Sequence, residues 1–203
     1  LQIACFIVFE GGDGSGKSTQ ARSLLRRMRR REVKVLRTHE PGGTPLGQYL
    51  RRLLKSGDAM TPMSELMLFE AARAQLVDTV IKPFLGQGGV VIADRFTSST
   101  MAYQGYGRGL DRELIERLNR EAAGGLEPDL TVLLDLPVET ALARKGKGNG
   151  DNFDGAPVDF HRKIRRGYTA LAAADPGGWL VLDGQRPPED LGREIWVKVQ
   201  SIL

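Results

Sequence analysis

Val8 to Gln20 reads VFEGGDGSGKSTQ. An apolar run ends at a glycine-crowded segment, a lysine and a serine follow, and a helical pattern begins. Gly11 to Ser18 satisfies G-x-x-x-x-G-K-[ST], with a strand expected before it and a helix after it, as a phosphate-binding loop requires. Glycines let the backbone double back so that successive N–H groups face one concavity, and the helix N-terminus adds positive potential. Such a loop grips a nucleoside triphosphate through Gly11, Gly12, Asp13, Gly14, Ser15, Gly16, Lys17, Ser18 and Thr19. Lys17 is expected to reach the β- and γ-phosphates, and the Ser18 hydroxyl to offer an oxygen to Mg²⁺. The structural alternative is a glycine-rich turn capped by Ser15 or Ser18, which would not need this strand–loop–helix context.

Outward from the loop, short apolar runs alternate with longer helical patterns. Strands are expected over 3–9, 33–37, 89–94, 130–136 and 179–184, nearly continuous in apolar residues as strands covered on both faces are. Helices are expected over 17–31, 45–56, 62–85, 111–123, 137–145, 157–174 and 187–202. Thr44-Pro45, Thr61-Pro62 and Leu136-Pro137 place proline near a helix start. This alternation predicts an α/β fold of the P-loop NTPase type, a five-stranded parallel sheet in the order 2-3-1-4-5 wrapped by helices. One domain is expected over residues 1–203, with a lid at about 143–156.

Apolar residues make up 41% and charged residues 27% of the 203, the balance of an ordinary globular chain. No apolar run reaches the roughly 18–20 residues that cross a bilayer, so no membrane partner is expected. The opening IACFIVF is short and lacks a basic leader, which argues against a secretory signal, and the lone Cys5 reads as a buried thiol in a cytoplasmic protein. The net charge is +4, and eight basic residues crowd Arg22 to Arg37. Leu24, Leu25 and Met28 share the other side of that helix, and no aromatics interleave with the arginines. The stretch therefore reads as a solvated helix face, with no nucleic-acid partner expected.

A metal-bound triphosphate needs a carboxylate at the end of a neighbouring strand. VVIAD ends at Asp94 and TVLLD at Asp135. Asp94, followed by Arg95, is the metal candidate, and Asp135, followed by Leu-Pro and a helix, reads as structural. No NKxD-like guanine-reading segment appears, nor a transporter signature. In FEAAR, Phe69 and Arg73 stand four apart on one helix face, where a ring could stack on a base and a guanidinium could meet its edge. A core phenylalanine beside a surface arginine would read the same.

Five segments taken together resemble the bacterial thymidylate kinase family. They are FEGGDGSGKSTQA (9–21), EPGGTPLG (40–47), LFEAARAQ (68–75), DRFTSSTMAYQGYGRGLD (94–111) and PDLTVLLDLP (128–137). The likeness runs from about residue 5 to 183. It implies transfer of phosphate from ATP to dTMP, with ATP and Mg²⁺ as cofactors, dTMP and ATP as small-molecule partners, and a homodimer. By that resemblance Phe69 stacks on thymine and Arg73 bonds its edge. Thr100 and Gln104 contact the base, with Ser99 beside them, and Tyr103 screens the sugar 2′ position. Asp13 lies near the 3′-hydroxyl, Arg51 and Arg95 hold the acceptor phosphate, and His39, Glu40 and Pro41 belong to the same wall.

The resemblance also implies that Lys17, Arg95 and a cation of the lid share the charge of the transferring group. ARKGKGNGDNFDG (143–155) supplies Arg144, Lys145 and Lys147 for that role. Two positions depart from the family pattern: NFD stands at 152–154 where lids often read RFE, and His39 replaces the arginine of TREPGGT. Weaker dTMP binding than in arginine-bearing relatives is the expected consequence. Another nucleoside monophosphate or deoxynucleoside kinase, or a non-catalytic P-loop switch, are the rival readings.

Overall fold

The computed structural model describes residues 4–56, 58–145 and 156–203. Five strands, β1 (Cys5–Glu10), β2 (Val35–His39), β3 (Val90–Asp94), β4 (Leu130–Asp135) and β5 (Trp179–Asp183), pair in parallel in the order β2-β3-β1-β4-β5. Both the expected order and the expected strand positions are met. Nine α-helices are described: α1 (Lys17–Arg29), α2 (Pro45–Leu54), α3 (Pro62–Leu76), α4 (Lys82–Gly86), α5 (Thr97–Thr100), α6 (Arg112–Ala123), α7 (Val138–Lys145), α8 (Val158–Ala174) and α9 (Pro188–Gln200).

The sheet is covered on both faces because its strands alternate between two cores. Ile7, Phe9, Ile92 and Leu134 point toward α1 and α9, where Leu24, Met28, Leu191, Ile195 and Trp196 meet them. Phe6, Val8, Val91 and Ala93 point the other way, onto Leu76, Val77, Ile81 and Phe96. Cys5 is buried, as expected, and burial, with Asp129 adding, raises its thiol to about 12. Arginines of α1 and of the turn after it have a share in packing: Arg27 and Arg31 lie 5.0 and 4.6 Å from the Trp196 ring centre, so their stems and charges cover a core aromatic. Thr44 and Thr61 cap α2 and α3 by accepting from Gly47 N and Ser64 N at 2.9 and 3.2 Å, each such cap contributing about 1 kcal/mol.

Two helical features depart from the expected pattern. The helix over 62–85 contains a π-helical turn, Val77–Ile81, just before Pro83. Proline has no N–H for the usual bond four residues back, so the wider turn absorbs the break. Residues 97–107, not among the expected helices, form α5 and a second π-helical turn, Met101–Gly107. Thr, Ser and Gly crowd this stretch and are poor helix formers. Packing overrides them: Ala102 and Tyr103 are buried against Phe160, Ile164 and Tyr168 of α8.

The register aligns the strand ends. Phe9 lies opposite Asp94, and His39 opposite Asp94 on its other side. The carboxyl ends of β1, β2 and β3 therefore form one row, and the glycine-rich loop leaves β1 at that row.

Candidate active site

The loop after β1 turns on glycines. Gly14 has φ +78°, and a Cβ there would come within 2.4 Å of the Ala141 carbonyl oxygen on α7. No side chain, basic or otherwise, fits at that position. Gly16, also left-handed at φ 99°, precedes α1 with no side-chain cap, so neither Ser15 nor Ser18 serves as the helix cap. Ser15 is buried within the loop, while Ser18 and Thr19 are exposed at the start of α1. Lys17 Nζ folds back to donate to the carbonyls of Gly11 and Gly12 at 2.9 and 2.8 Å. Burial, followed by the nearby Arg95 charge, lowers Lys17 to about 8. The Ser18 hydroxyl donates to Asp94 Oδ2 at 2.5 Å.

Beside the loop opens a cavity of about 280 Å³. It gathers Asp13, Glu40, Pro41, Arg51, Phe69, Arg73, Arg95, Ser99, Thr100, Tyr103 and Gln104 from segments spread over 92 residues of sequence (104 − 13 + 1). Leu54 and Lys55, one helical turn beyond Arg51, line it as well; their i, i+3 and i+4 spacing was a usable signal. A second cavity, of about 590 Å³, contains Lys17, Ser18, Thr19, Asp94 and His39. Asp13, Glu40, Arg51 and Arg95 border both. Arg22 and Arg37, unassigned from the sequence, also line the second.

Arg95 stands at the partition. It is one of two non-glycine residues with positive φ among the described residues, at 78°. Its Nη2 donates to Asp13 Oδ1 at 2.6 Å and to the Tyr103 hydroxyl at 3.0 Å, and its Nη1 to the Gly11 carbonyl at 3.2 Å. Arg51 donates to the Pro41 carbonyl at 3.2 Å.

Arg73 is placed differently from a surface arginine. It is 1% exposed. Its Nε and Nη2 meet the Glu40 carboxylate at 3.0 and 2.8 Å, and Nη2 also meets the Phe96 carbonyl at 3.2 Å. Its Nη1 donates to Glu70 and to Asn119 Oδ1, each at 2.7 Å. These partners engage every N–H of the fork, so the Phe69–Arg73 pair is a cavity wall built on a buried ion cluster. Burial pushes Glu40 up to about 7 against the pull of Arg73. Thr100 donates to Asn119 Oδ1 at 2.7 Å, and Gln104 to Glu65 Oε1 at 2.7 Å. Asp135 does not cap α7: Arg165 clamps both its oxygens, at 2.7 and 2.8 Å.

A phosphate loop and a polar, ring-walled cavity thus share one arginine partition. The thymidylate kinase family model matches residues 9–195. A thymidylate kinase of Dehalococcoides mccartyi strain 195 is 45% identical over 203 residues, covering 99% of this chain and 98% of that one. One from Synechococcus sp. strain JA-3-3Ab is 49% identical over 198 residues, covering 98% and 96%. The crystal structure of thymidylate kinase from Ehrlichia chaffeensis superposes with a TM-score of 0.82 at 33% identity, covering 98% of this chain and 99% of that one. The chain belongs to the thymidylate kinase family. It is an enzyme, a nucleotide kinase that phosphorylates dTMP with ATP.

Two positions of this chain sharpen the sequence expectations. His39 is set against the Gly42 backbone, where a Cβ would come within 2.3 Å of its Nε2, and Nε2 lies 3.4 Å from Gln48 Nε2. Burial first, then the Arg51 charge, pushes its pKa below the ordinary histidine value, so it stands here as a neutral ring. Arg144 Nη1 donates to the Gly184 carbonyl after β5 at 2.8 Å. The Lys145 side chain, Lys147 and most of the candidate lid lie outside the described residues. The donor set at Ser18 and Asp94 suits Mg²⁺: two oxygens, the hard donors this cation takes, converge. Among the described residues no three His, Cys, Asp or Glu form a group that could hold a metal ion.

The lowered Lys17 carries a pH prediction. Its cationic form dominates below about 8 in the free enzyme and is lost above. Because kcat/KM reports free-enzyme ionisations, kcat/KM for ATP should fall with rising pH beyond that value, toward a one-proton slope. A profile that stays flat to about pH 9.5 would contradict the burial of this lysine as a cause.

Proposed function

We propose that the larger cavity receives ATP as its Mg²⁺ complex and the smaller one dTMP, and that the γ-phosphoryl group crosses between them to give dTDP and ADP. The observation that carries this reading is the shared partition: Asp13, Arg51 and Arg95 line both cavities. A group held on either side of that wall needs little travel to meet its partner. Such positioning, with charge stabilisation, is the main task in phosphoryl transfer.

Lys17 leaves the Gly11 and Gly12 carbonyls and turns to the β- and γ-phosphates. Loop N–H groups and the N-terminus of α1 hold the same oxygens. Ser18 and Asp94 would hold Mg²⁺, which when bound would offset the charge of the phosphates. Arg51 and Arg95 grip the dTMP phosphate with forked donors that fix its direction as lysine would not. The acceptor oxygen is already anionic, so no strong general base is needed. Arg95 keeps its charge throughout: burial opposes it, yet Tyr103, Tyr168, Asp13 and Glu10 together raise its pKa well above the ordinary value. Phe69 stacks on the base, Thr100 and Gln104 face its edge, and Arg73, engaged by Glu40 and Glu70, holds that wall in shape. Arg144, the one described member of the three candidate cations, would have to leave the Gly184 carbonyl to reach the transferring group.

At about 280 Å³ the acceptor cavity is small for a ligand site, where roughly 300–1,000 Å³ is usual, and it suits a single-ring base. An ADP-release assay over dTMP, dUMP, thymidine and purine monophosphates tests the reading. One methyl group in an apolar pocket is worth about 10–200-fold, so kcat/KM should favour dTMP over dUMP by that order. Purine monophosphates and thymidine should be poor acceptors, and a preference for either would overturn the assignment.

The enzyme acts as a homodimer in the cytoplasm. Leu46, Tyr49 and Leu53 recur on one face of α2, and Met63 and Met67 on α3, with Tyr49 61% exposed. The two helices pack together, so the patch joins into a surface that a second copy would cover. Sedimentation equilibrium should give twice the 22.3 kDa chain mass, and Tyr49→Glu should shift the protein toward one copy. A wild-type chain sedimenting as a single copy would contradict the assignment.

A further inference from the structure

Glu10 closes β1 and is fully buried, yet it lines neither cavity. A carboxylate in such a place needs partners, and it has three donors. Oε1 accepts from the Phe96 N–H at 2.9 Å. Oε2 accepts from the Ser99 hydroxyl at 2.7 Å and from the Tyr168 hydroxyl at 2.9 Å. Both hydroxyl oxygens then accept from Arg95 Nη1, at 3.2 and 3.0 Å. We propose that Glu10, acting through Tyr168 and Ser99, is the positioning group that aims Arg95 at the acceptor phosphate. The inference rests on the assignment of Arg95 to the dTMP phosphate.

The direction of two hydroxyl hydrogens decides the aim. Each hydroxyl has a single hydrogen to donate. With Glu10 ionised, those hydrogens turn toward its oxygens, and the hydroxyl lone pairs are left facing the guanidinium. Glu10 also holds the backbone beneath Arg95. The Phe96 N–H it accepts follows the left-handed residue directly, so one carboxylate oxygen fixes the strained turn while the other fixes the side chain. Nη2 is held separately, by Asp13 and Tyr103. Nη1 is held by the Gly11 carbonyl, which is fixed by the loop, and by the two hydroxyls that Glu10 orients, so two of its three acceptors depend on Glu10.

Glu10→Gln tests the relay with little change of shape. The amide keeps one acceptor oxygen and gains an NH₂: facing the hydroxyls, the NH₂ turns their hydrogens toward Arg95, and facing Phe96 it meets the N–H that fixes the turn beneath Arg95, so donor meets donor in either orientation. Calorimetric titration of dTMP and of thymidine, which lacks the phosphate, separates aim from general damage. Glu10→Gln should weaken dTMP by on the order of tenfold to a hundredfold, the loss of one charge-assisted hydrogen bond, and leave thymidine unchanged. Tyr168→Phe should shift the same ratio by less, and it decides the matter if Glu10→Gln does not fold. Arg95→Ala serves as the reference. If it lowers the dTMP-to-thymidine preference while Glu10→Gln and Tyr168→Phe retain it, or if those two weaken both ligands equally, the positioning role is wrong and the Arg95 assignment stands. If Arg95→Ala itself leaves the preference intact, the Arg95 assignment fails and the relay fails with it.

Discussion

The parallel register of β1 with β3, Phe9 opposite Asp94, is the constraint on which the site depends. It brings the loop that leaves β1 beside the two residues that end and follow β3. Ser18 reaches Asp94, and Asp13 reaches Arg95, only because both strands stop at the same level. A slip of one residue would turn Asp94 to the opposite face, since successive strand residues alternate. The apolar alternation of Phe6, Ile7, Val8 and Phe9 between two cores fixes that register far more firmly than any contact within the site could. Packing of the sheet thus decides where the phosphates can be held.

Charge is handled in two ways on either side of the Arg95 partition. Toward the phosphate loop, Lys17, Arg22, Arg37 and Arg51 face a cavity whose carboxylates are Asp13, Glu40 and Asp94, leaving an excess of cations for phosphate. Toward the smaller cavity, charge is paired before any ligand arrives: Arg73 is held by Glu40 and Glu70 and shielded from water. Breaking such a buried pair by removing one partner typically costs about 3–5 kcal/mol, so this wall is stiff. A stiff, pre-paired wall suits shape recognition of a neutral ring, and an open cationic cleft suits a polyanion.

Much of this was legible in the sequence, for identifiable reasons. The Gly11–Ser18 motif and the apolar strands are local patterns, and Thr44-Pro45 and Thr61-Pro62 mark helix starts by their own chemistry. The residues grouped by family resemblance, from Asp13 to Gln104, do converge on one cavity, except that His39 lines its neighbour. What was hidden depends on partners distant in sequence. Glu10 fell between the expected strand over 3–9 and the phosphate loop with no role, because Ser99 and Tyr168 lie 89 and 158 positions away. The spacing of Phe69 and Arg73 left a surface arginine and a base-edge contact both open, and the burial of Arg73 against Glu40 was hidden because that partner is 33 positions off. The helix over 97–107 was masked by its own Ser, Thr and Gly content, and only α8 packed against it explains why it forms.

Arg95 has a left-handed backbone, a raised pKa and contacts to both halves of the site, as expected of a residue that touches both reacting groups. The most direct test is a crystal structure of the protein with dTMP and a non-hydrolysable ATP analogue bound together. The terminal phosphorus should lie about 3–3.5 Å from a dTMP phosphate oxygen, in line, with Arg95 between the two nucleotides. A dTMP phosphate found outside the reach of Arg95 and Arg51, or a base seated away from Phe69, would contradict that arrangement.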